Sequence, residues 1–482
     1  MLISKTNKTH QTSSANGDVL SSLDTHKSKD FSFLKQIKLK QVSFWDFTSN
    51  VIQAEATKYK FKLVKLSDLI AQRKGFFTID DEKKYKRCKV QLYAKGVIRR
   101  DIVKGKEIKT KKQQACKKDD FLVAEIDAKV GGYGIVPSEL ENAVVSSHYY
   151  LYEIDTAKLL PEFLGLYVKT EEFAKQVKAT GSTNYASIRP AQVLDYQIPL
   201  PPIETQEKLV ADYNSQMSQA DDFEAKAKAL EQESETYLLK ELGIKIQQTE
   251  KNDWRDFKFL QPANLKELSR WDFPFLMDSF EMNSEFPVRK LGEFIECFLK
   301  DENGNSLRFE SSKFPKSEFN YLGMENVEKN IGEVANFSVL KGTEVKSQTL
   351  RVPKDFIIYG KLRPYLNKYW YNDTNLTNII CSSEFFAFNL KQNINLQFFL
   401  ILLSSSFVQK QISNQTSGVR MPRMSENLFF SLEVPIPNDK KIQNKIVKHI
   451  NSLKAKIKEL KDGAENLRRN AKGDFEAELF EI

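Results

Sequence analysis

The chain has 482 residues, 41% of them hydrophobic, and a formal net charge of +9. That length is too great for one ordinary core and predicts two or three domains. The longest clean apolar run, Phe398 to Leu403, is far short of the ~20 residues a membrane helix needs, so no membrane partner is expected. The charge permits a nucleic-acid partner without demanding one.

In chain order, residues 1–40 form an N-terminal extension. Met1 to Asp30 is polar, rich in Ser, Thr, Asn and Lys, and lacks the apolar stretch of a secretory signal; it is expected to be poorly ordered. A first mixed α/β domain is predicted over 41–202. It carries a lysine run, Lys104, Lys106, Lys109, Lys111, Lys112, Lys117 and Lys118, interrupted by Glu107. Such lysines can displace counterions from a phosphate backbone, and a solvated loop has the same composition. Phe121 to Ile126 and Val144 to Ile154 are strand candidates, rich in aromatics and β-formers. Between them lies the strand-end segment Glu125 to Gly134, with Lys129 and Tyr133. Pro161 to Lys178 has helical apolar spacing and is ended by Gly181. The loop that follows offers Ser182, Thr183, Asn184, Tyr185 and Arg189. These groups suit phosphates and base edges, and equally an ordinary surface turn.

A long helix is predicted over 203–243, with Leu209, Tyr213, Gln216, Ala220, Phe223, Ala227, Leu230, Ser234 and Tyr237 recurring in steps of four and three. A linker over 244–267 leads to a second domain over 268–438. There, Phe356 to Tyr359 and Ile379 to Asn389 are strand candidates, and Leu396 to Ile412 is helical up to Gly418. Lys361, Arg363, Tyr365 and Lys368 interleave cations with an aromatic straight after a strand, and Arg420 and Arg423 follow the helix. Arginine is the side chain best suited to guanine. The last helix, over 439–482, repeats the seam with Ile446, Ile450, Leu453, Ile457, Leu460, Ala464, Leu467 and Ala471. The first seam contains Gln, Ala and Ser and is too weak to stand alone, so it is expected to be buried by the second seam or by another subunit; the alternative is that each helix packs on its own domain.

The halves are copies. Trp45-Asp46-Phe47 returns as Trp271-Asp272-Phe273, Phe61 to Ile70 resembles Phe286 to Ile295, and Ser146 to Tyr152 matches Ser382 to Phe388. Ile198-Pro199-Leu200-Pro201 matches Val434-Pro435-Ile436-Pro437, and Gln206 aligns with Gln443. One ancestral unit duplicated in tandem, with loop insertions, explains the drifting offset. The segments after the equivalent strands differ in charge, Glu125 to Gly134 against Lys361 to Lys368. Two copies that share a scaffold but not these side chains would read different targets.

Chemistry is sparse. The four cysteines and four histidines are dispersed, which suggests no metal or disulfide framework and a reduced, cytoplasmic setting. No Walker loop occurs, the one Pro-Pro pair sits between Leu200 and Ile203, and Gly131-Gly132-Tyr133-Gly134 is too irregular for a dinucleotide fingerprint. Asp120, Glu125, Asp127 and Lys129 loosely suggest a metal nuclease cluster, but the second unit lacks it. No catalytic or metal-binding residue is assigned, and no cofactor is expected on this chain.

From about Phe44 onward the chain resembles the specificity (S) subunit of type I restriction–modification systems. The resemblance rests on the two half-repeats, the strand-end segments 125–129 and 361–365, the Gly-Ser-Thr-Asn loop at 181–184, and the Ile-Pro-Leu-Pro-Pro exit before Gln206. The N-terminal extension has no matching motif. The resemblance implies a mixed α+β fold: two target-recognition domains in pseudo-two-fold tandem repeat, joined by two long helices in an antiparallel coiled coil. It implies a non-catalytic subunit that binds double-stranded DNA, each domain reading half of a bipartite, asymmetric site. Two methyltransferase subunits, carrying S-adenosylmethionine and methylating adenine, would dock on the coiled coil; two restriction subunits with motor and nuclease activity are an open further partner. The DNA-contacting candidates are Lys109, Lys111, Lys112, Lys129, Tyr133, Ser182, Thr183, Asn184, Tyr185, Arg189, Lys361, Arg363, Tyr365, Lys368, Arg420 and Arg423. The coiled-coil interface is expected at Leu209, Tyr213, Phe223, Leu230, Ile446, Ile450, Leu453, Ile457, Leu460 and Leu467. A helix from Glu204 to Tyr237 would be roughly 50 Å long, on the order of one and a half turns of DNA, as suits a site with an unread middle. The alternatives are a coiled-coil adaptor without DNA readout and a fused DNA-modifying enzyme.

Overall fold

The computed structural model describes residues 57–178, 187–246, 282–415 and 421–481. The extension, both Trp-Asp-Phe motifs, Gly181, Gly418 and most of the linker lie outside the described residues. The described α-helices are α1 (Pro161–Tyr167), α2 (Glu171–Gln176), α3 (Pro190–Leu194), α4 (Ile203–Glu241), α5 (Leu396–Ser404), α6 (Ser406–Gln415), α7 (Glu426–Ser431) and α8 (Lys440–Leu479).

The chain forms two compact units, Met1–Tyr213 with Lys472–Ile482, and Asn214–Ala471. In the first, a four-stranded antiparallel sheet runs in the order Ile70–Arg73, Tyr149–Ile154, Phe121–Ala124, Tyr133–Ile135. A five-stranded sheet runs Phe76–Thr78, Lys112–Ala115, Val144–Val145, Lys84–Gln91, Gly96–Lys104. One pairing in it is parallel, with Val144 opposite Arg87. The four-stranded sheet is covered by α1 and α2, and Phe121, Tyr152, Phe163, Tyr167 and Phe173 form its buried core. Burying such rings supplies most of the driving force for the layer.

The second unit repeats this strand for strand. Its four-stranded sheet runs Ile295–Phe298, Phe385–Leu390, Ile357–Gly360, Tyr369–Tyr371; its five-stranded sheet runs Arg308–Phe309, Thr349–Arg351, Ile379–Ser382, Glu318–Leu322, Ser338–Lys341. The parallel pairing recurs at the same place, with Tyr321 opposite Ile380. The duplication therefore extends to topology.

Three expectations need correction. Val144 to Ile154 is two strands, Val144–Val145 and Tyr149–Ile154, in different sheets. The second copy crosses likewise between Ile379–Ser382 and Phe385–Leu390. β-propensity continues through the crossing, so composition does not mark it. The helix expected over 161–178 is broken into α1 and α2, where Thr170 caps α2 by accepting a hydrogen bond from the Phe173 amide at 3.3 Å. The helix expected over 396–412 is likewise split at Ser405 into α5 and α6. The short helices α3 and α7 have no counterpart among the elements expected from the sequence.

The long helices serve two roles. At the start of α4, Leu209 enters the first core beside Phe475, Leu479 and Phe480 from the end of α8. In the second unit, Leu238 and Leu242 from the end of α4 share a core with Ile446 and Ile450 from the start of α8. Each core thus takes in the beginning of its own helix and the end of the other. Short strands repeat the pattern: Lys58–Tyr59 pairs with Phe480–Glu481, and Lys245–Ile246 with Met282–Asn283. Within the second unit α4 and α8 run antiparallel, as the ion pairs Lys445–Glu241 at 2.9 Å, Lys461–Glu231 at 2.7 Å and Arg468–Asp221 at 2.7 Å record. Ala220, Ala227, Leu453, Ala464 and Ala471 are buried along them, and Phe223, Leu230, Ile457, Leu460 and Leu467 are half-buried. In the first unit Tyr213 packs edge-on against Phe475.

Candidate nucleic-acid interface

The segment leaving the central strand of each four-stranded sheet is held by two others distant in sequence. In the second unit the Lys361 amide donates to the Glu384 carbonyl at 2.8 Å, the Met424 amide to the Lys361 carbonyl at 3.0 Å, and the Arg363 amide to the Pro422 carbonyl at 2.7 Å. This brings the candidates Lys361, Arg363 and Arg423 to one edge. The Arg423 guanidinium donates twice to the Glu384 carboxylate, at 3.0 and 2.9 Å, and that bonding holds the carboxyl below its usual range. The Lys361 ammonium lies 5.4 Å from the centre of the Phe386 ring, and burial lowers its pKa. Beside this edge opens a cleft of about 610 Å³ lined by Arg308, Phe309, Lys361, Glu384, Phe386 and Arg423.

Arg363 and Asn367 have left-handed backbone, φ 49° and 46°, and the turn between them presents Tyr365, which is 54% exposed. Lys368 is half-buried and its ammonium donates to the Met324 carbonyl, so it is turned toward the protein.

The first unit uses the same backbone frame with other side chains. The Glu125 amide donates to the His148 carbonyl at 2.9 Å, and the Ile188 amide to the Glu125 carbonyl at 3.0 Å. Glu125 thus occupies the position of Lys361, and His148 that of Glu384. His148 Nδ1 and the Glu125 carboxylate are hydrogen-bonded at 2.7 Å. Where one copy has a lysine and a glutamate at these two positions, the other has a glutamate and a histidine.

Among the remaining candidates, Lys129 and Arg189 are exposed near this edge in sequence, after the strand and at the start of α3. Lys109 is exposed, Lys111 bonds Asp81 and the Gly105 carbonyl, and Lys112 lies 5.1 Å from the Phe76 ring. Lys112 opens a strand of the five-stranded sheet, and Lys109 and Lys111 lie in the loop before it. Tyr133 is a correction: it is 2% exposed and packs edge-on against Phe173 at 5.2 Å. Its strand turns the ring into the core, where burial pushes the phenol pKa up, so it presents no surface to DNA. Ser182, Thr183, Asn184, Tyr185 and Arg420 lie outside the described residues. Asp120 is buried against Arg73 and accepts from the Lys117 amide at 2.7 Å, so it does not converge with Glu125 and Asp127 at the surface. Among the described residues no His, Cys, Asp or Glu cluster is placed to hold a metal, and no helix is long and apolar enough to cross a membrane.

Sequence reasoning missed one contributor, the hairpin of Lys84–Gln91 and Gly96–Lys104, whose loop carries no Asn-Gly or Asp-Gly signal. Its tip docks on the strand-end segment: the Tyr93 amide donates to the Val130 carbonyl at 2.7 Å and the Ala94 amide to the Gly131 carbonyl at 2.8 Å. In the second unit the equivalent hairpin tip does the same, with the Asn330 amide donating to the Asn367 carbonyl at 3.1 Å.

The model of the type I restriction modification DNA specificity domain matches the chain twice, over residues 58–233 and 283–466. A curated relative is the type I restriction enzyme HindI specificity subunit of Haemophilus influenzae, 31% identical over 113 residues, 23% of this chain. That match spans about a quarter (25%) of the relative's length. Similar solved structures include the HsdS subunit from Thermoanaerobacter tengcongensis, at 14% identity and TM-score 0.38 over 86% of this chain and 95% of that one. Another is the type I restriction-modification S subunit from M. genitalium, at 15% identity and TM-score 0.45 over 89% of this chain and 98% of that one.

Proposed function

The chain belongs to the type I restriction modification DNA specificity family, and from that premise we propose that it is the DNA-reading subunit of a methylating complex, each domain recognising one half of a bipartite, asymmetric site. The carrying observation is the charge exchange on a shared frame: Glu125 and His148 stand where the other copy has Lys361 and Glu384. Matched backbones with opposed side chains suit unlike half-sites, because direct readout depends on the donors, acceptors and charges offered to base edges.

The helix pair α4 and α8 is the docking surface for two methyltransferase subunits, which carry S-adenosylmethionine and transfer its methyl group to adenine. Restriction subunits join the same assembly. This chain contributes binding and positioning, not chemistry, and acts in the cytoplasm, where its four free cysteines remain reduced.

The test is to map methylated adenines in cells expressing the methyltransferase subunits with and without this chain. The expected result is a two-part motif that depends on the chain. Exchanging the domain over 41–202 for that of a relative should replace one half of the motif and leave the other. A motif that does not change on exchange overturns the reading.

A further inference from the structure

The tip of the first unit's long hairpin turns through two residues of left-handed backbone, one buried and one left outside the core. Tyr93 and Ala94 both have left-handed backbone, φ 61° and 52°, a conformation disfavoured for any residue with a Cβ. The Tyr93 ring nevertheless contributes little to a core, being 76% exposed, and Leu92 and Val130 beside it are exposed as well. The tip is held by the amide bonds to Val130 and Gly131 and by Ala94, which is buried in the first core, while the Tyr93 ring stays outside it. Gly131 makes that contact possible: a Cβ there would lie 2.5 Å from the Ala94 nitrogen. The result is an aromatic ring fixed on a rigid mount and offered to the outside.

The surroundings say what it faces. Lys95 lies in the tip and Lys89 and Arg99 on the two strands that lead to it; all three are exposed and make no ion pair among the described residues. An uncovered aromatic among cations is complementary to a nucleic acid, whose phosphates take the charges and whose bases and sugars take the ring. The corresponding junction of the second unit also exposes large side chains, Ile331 at 52% and Tyr365 at 54%, where the Asn330 amide meets the Asn367 carbonyl.

We infer that Tyr93 is a base-contacting residue of the first domain: its ring enters a groove of the duplex and packs against base edges, while Lys89, Lys95 and Arg99 hold the flanking phosphates. This rests on the DNA-reading function proposed above and names a residue that carries it.

The experiment uses the full chain in complex with its methyltransferase subunits and a duplex carrying the methylated motif. Tyr93→Ala is expected to bind that duplex about tenfold more weakly, and to lose discrimination against base changes in the half-site assigned to the first domain while keeping it in the other half. The slope of affinity against salt should not change, because the lost group is uncharged; Lys95→Ala should instead weaken binding to all sequences and lower that slope by about one. Tyr93→Phe, which keeps the ring, should restore discrimination. An unchanged melting temperature for Tyr93→Ala shows that the loss is not one of folding. Wild-type affinity and discrimination in Tyr93→Ala overturn the inference while leaving the DNA-reading function standing. A wild-type complex that discriminates no sequence at all removes that function and this inference with it.

Discussion

The side-chain carbonyl of Gln206 accepts a hydrogen bond from the Leu160 amide at 2.9 Å, and its amide group donates to the Pro201 carbonyl at 2.9 Å and the Lys158 carbonyl at 3.0 Å. Gln443 repeats the device, accepting from the Asn395 amide and donating to the Pro437 carbonyl, both at 2.9 Å. Both side chains are buried. Each ties the first turn of a long helix to the segment that opens the preceding helical layer, which sets the direction in which the long helix leaves its domain.

Replacing Gln206 by Ala strands those backbone groups without partners. An unsatisfied buried group costs about 1–3 kcal/mol, so Gln206→Ala should lower the urea unfolding midpoint of the first unit by a corresponding amount. Gln219→Ala, on an exposed stretch of α4, should stay within about 0.5 kcal/mol of the parent.

Ala464 is buried in the helix pair, as are Ala220 and Ala227. Ala464→Leu inserts extra carbon into a closed seam. Overpacking of this kind costs about 1–3 kcal/mol, and hydrogen exchange should show faster opening of residues in α4 and α8. Retained protection would mean that the pair is loosely packed.

Gly131 has φ 77° and no space for a Cβ. Gly131→Ala therefore combines backbone strain with a clash against the hairpin tip, and a loss of about 1–3 kcal/mol is expected. Gly75→Ala, where nothing lies within 4 Å, is the control and should be nearly neutral. Thermal unfolding of the two variants compares them directly.

The Glu384–Arg423 pair should give an acid-dependent contribution to stability. The two hydrogen bonds from Arg423 hold the Glu384 pKa in the folded protein below its ordinary value of 4.5. A depressed carboxylate stabilises the fold above its unfolded pKa, and the contribution is lost as pH falls through the folded pKa. The melting temperature of Arg423→Ala should thus lie below wild type at neutral pH, and the two should converge as the pH drops below about 4.5. A gap that persists in strong acid would assign the arginine another role.

The duplication and the two heptad seams were legible in the sequence, because a repeat and a helical period are carried by contiguous residues. The buried Ala220, Ala227, Ala464 and Ala471 follow from spacing alone. Legible too was the charge difference between the strand-end segments, since the copies align there. Only the tertiary structure decided which residues share an edge. Lys361, Glu384 and Arg423 meet through backbone bonds between segments far apart in the chain, as do Tyr93 and Val130. It also decided that Tyr133 faces the core, and that the β-rich runs at 144–154 and 379–390 change sheets midway. Propensity and periodicity are local, whereas strand pairing and the side of a sheet that is covered depend on contacts between distant segments.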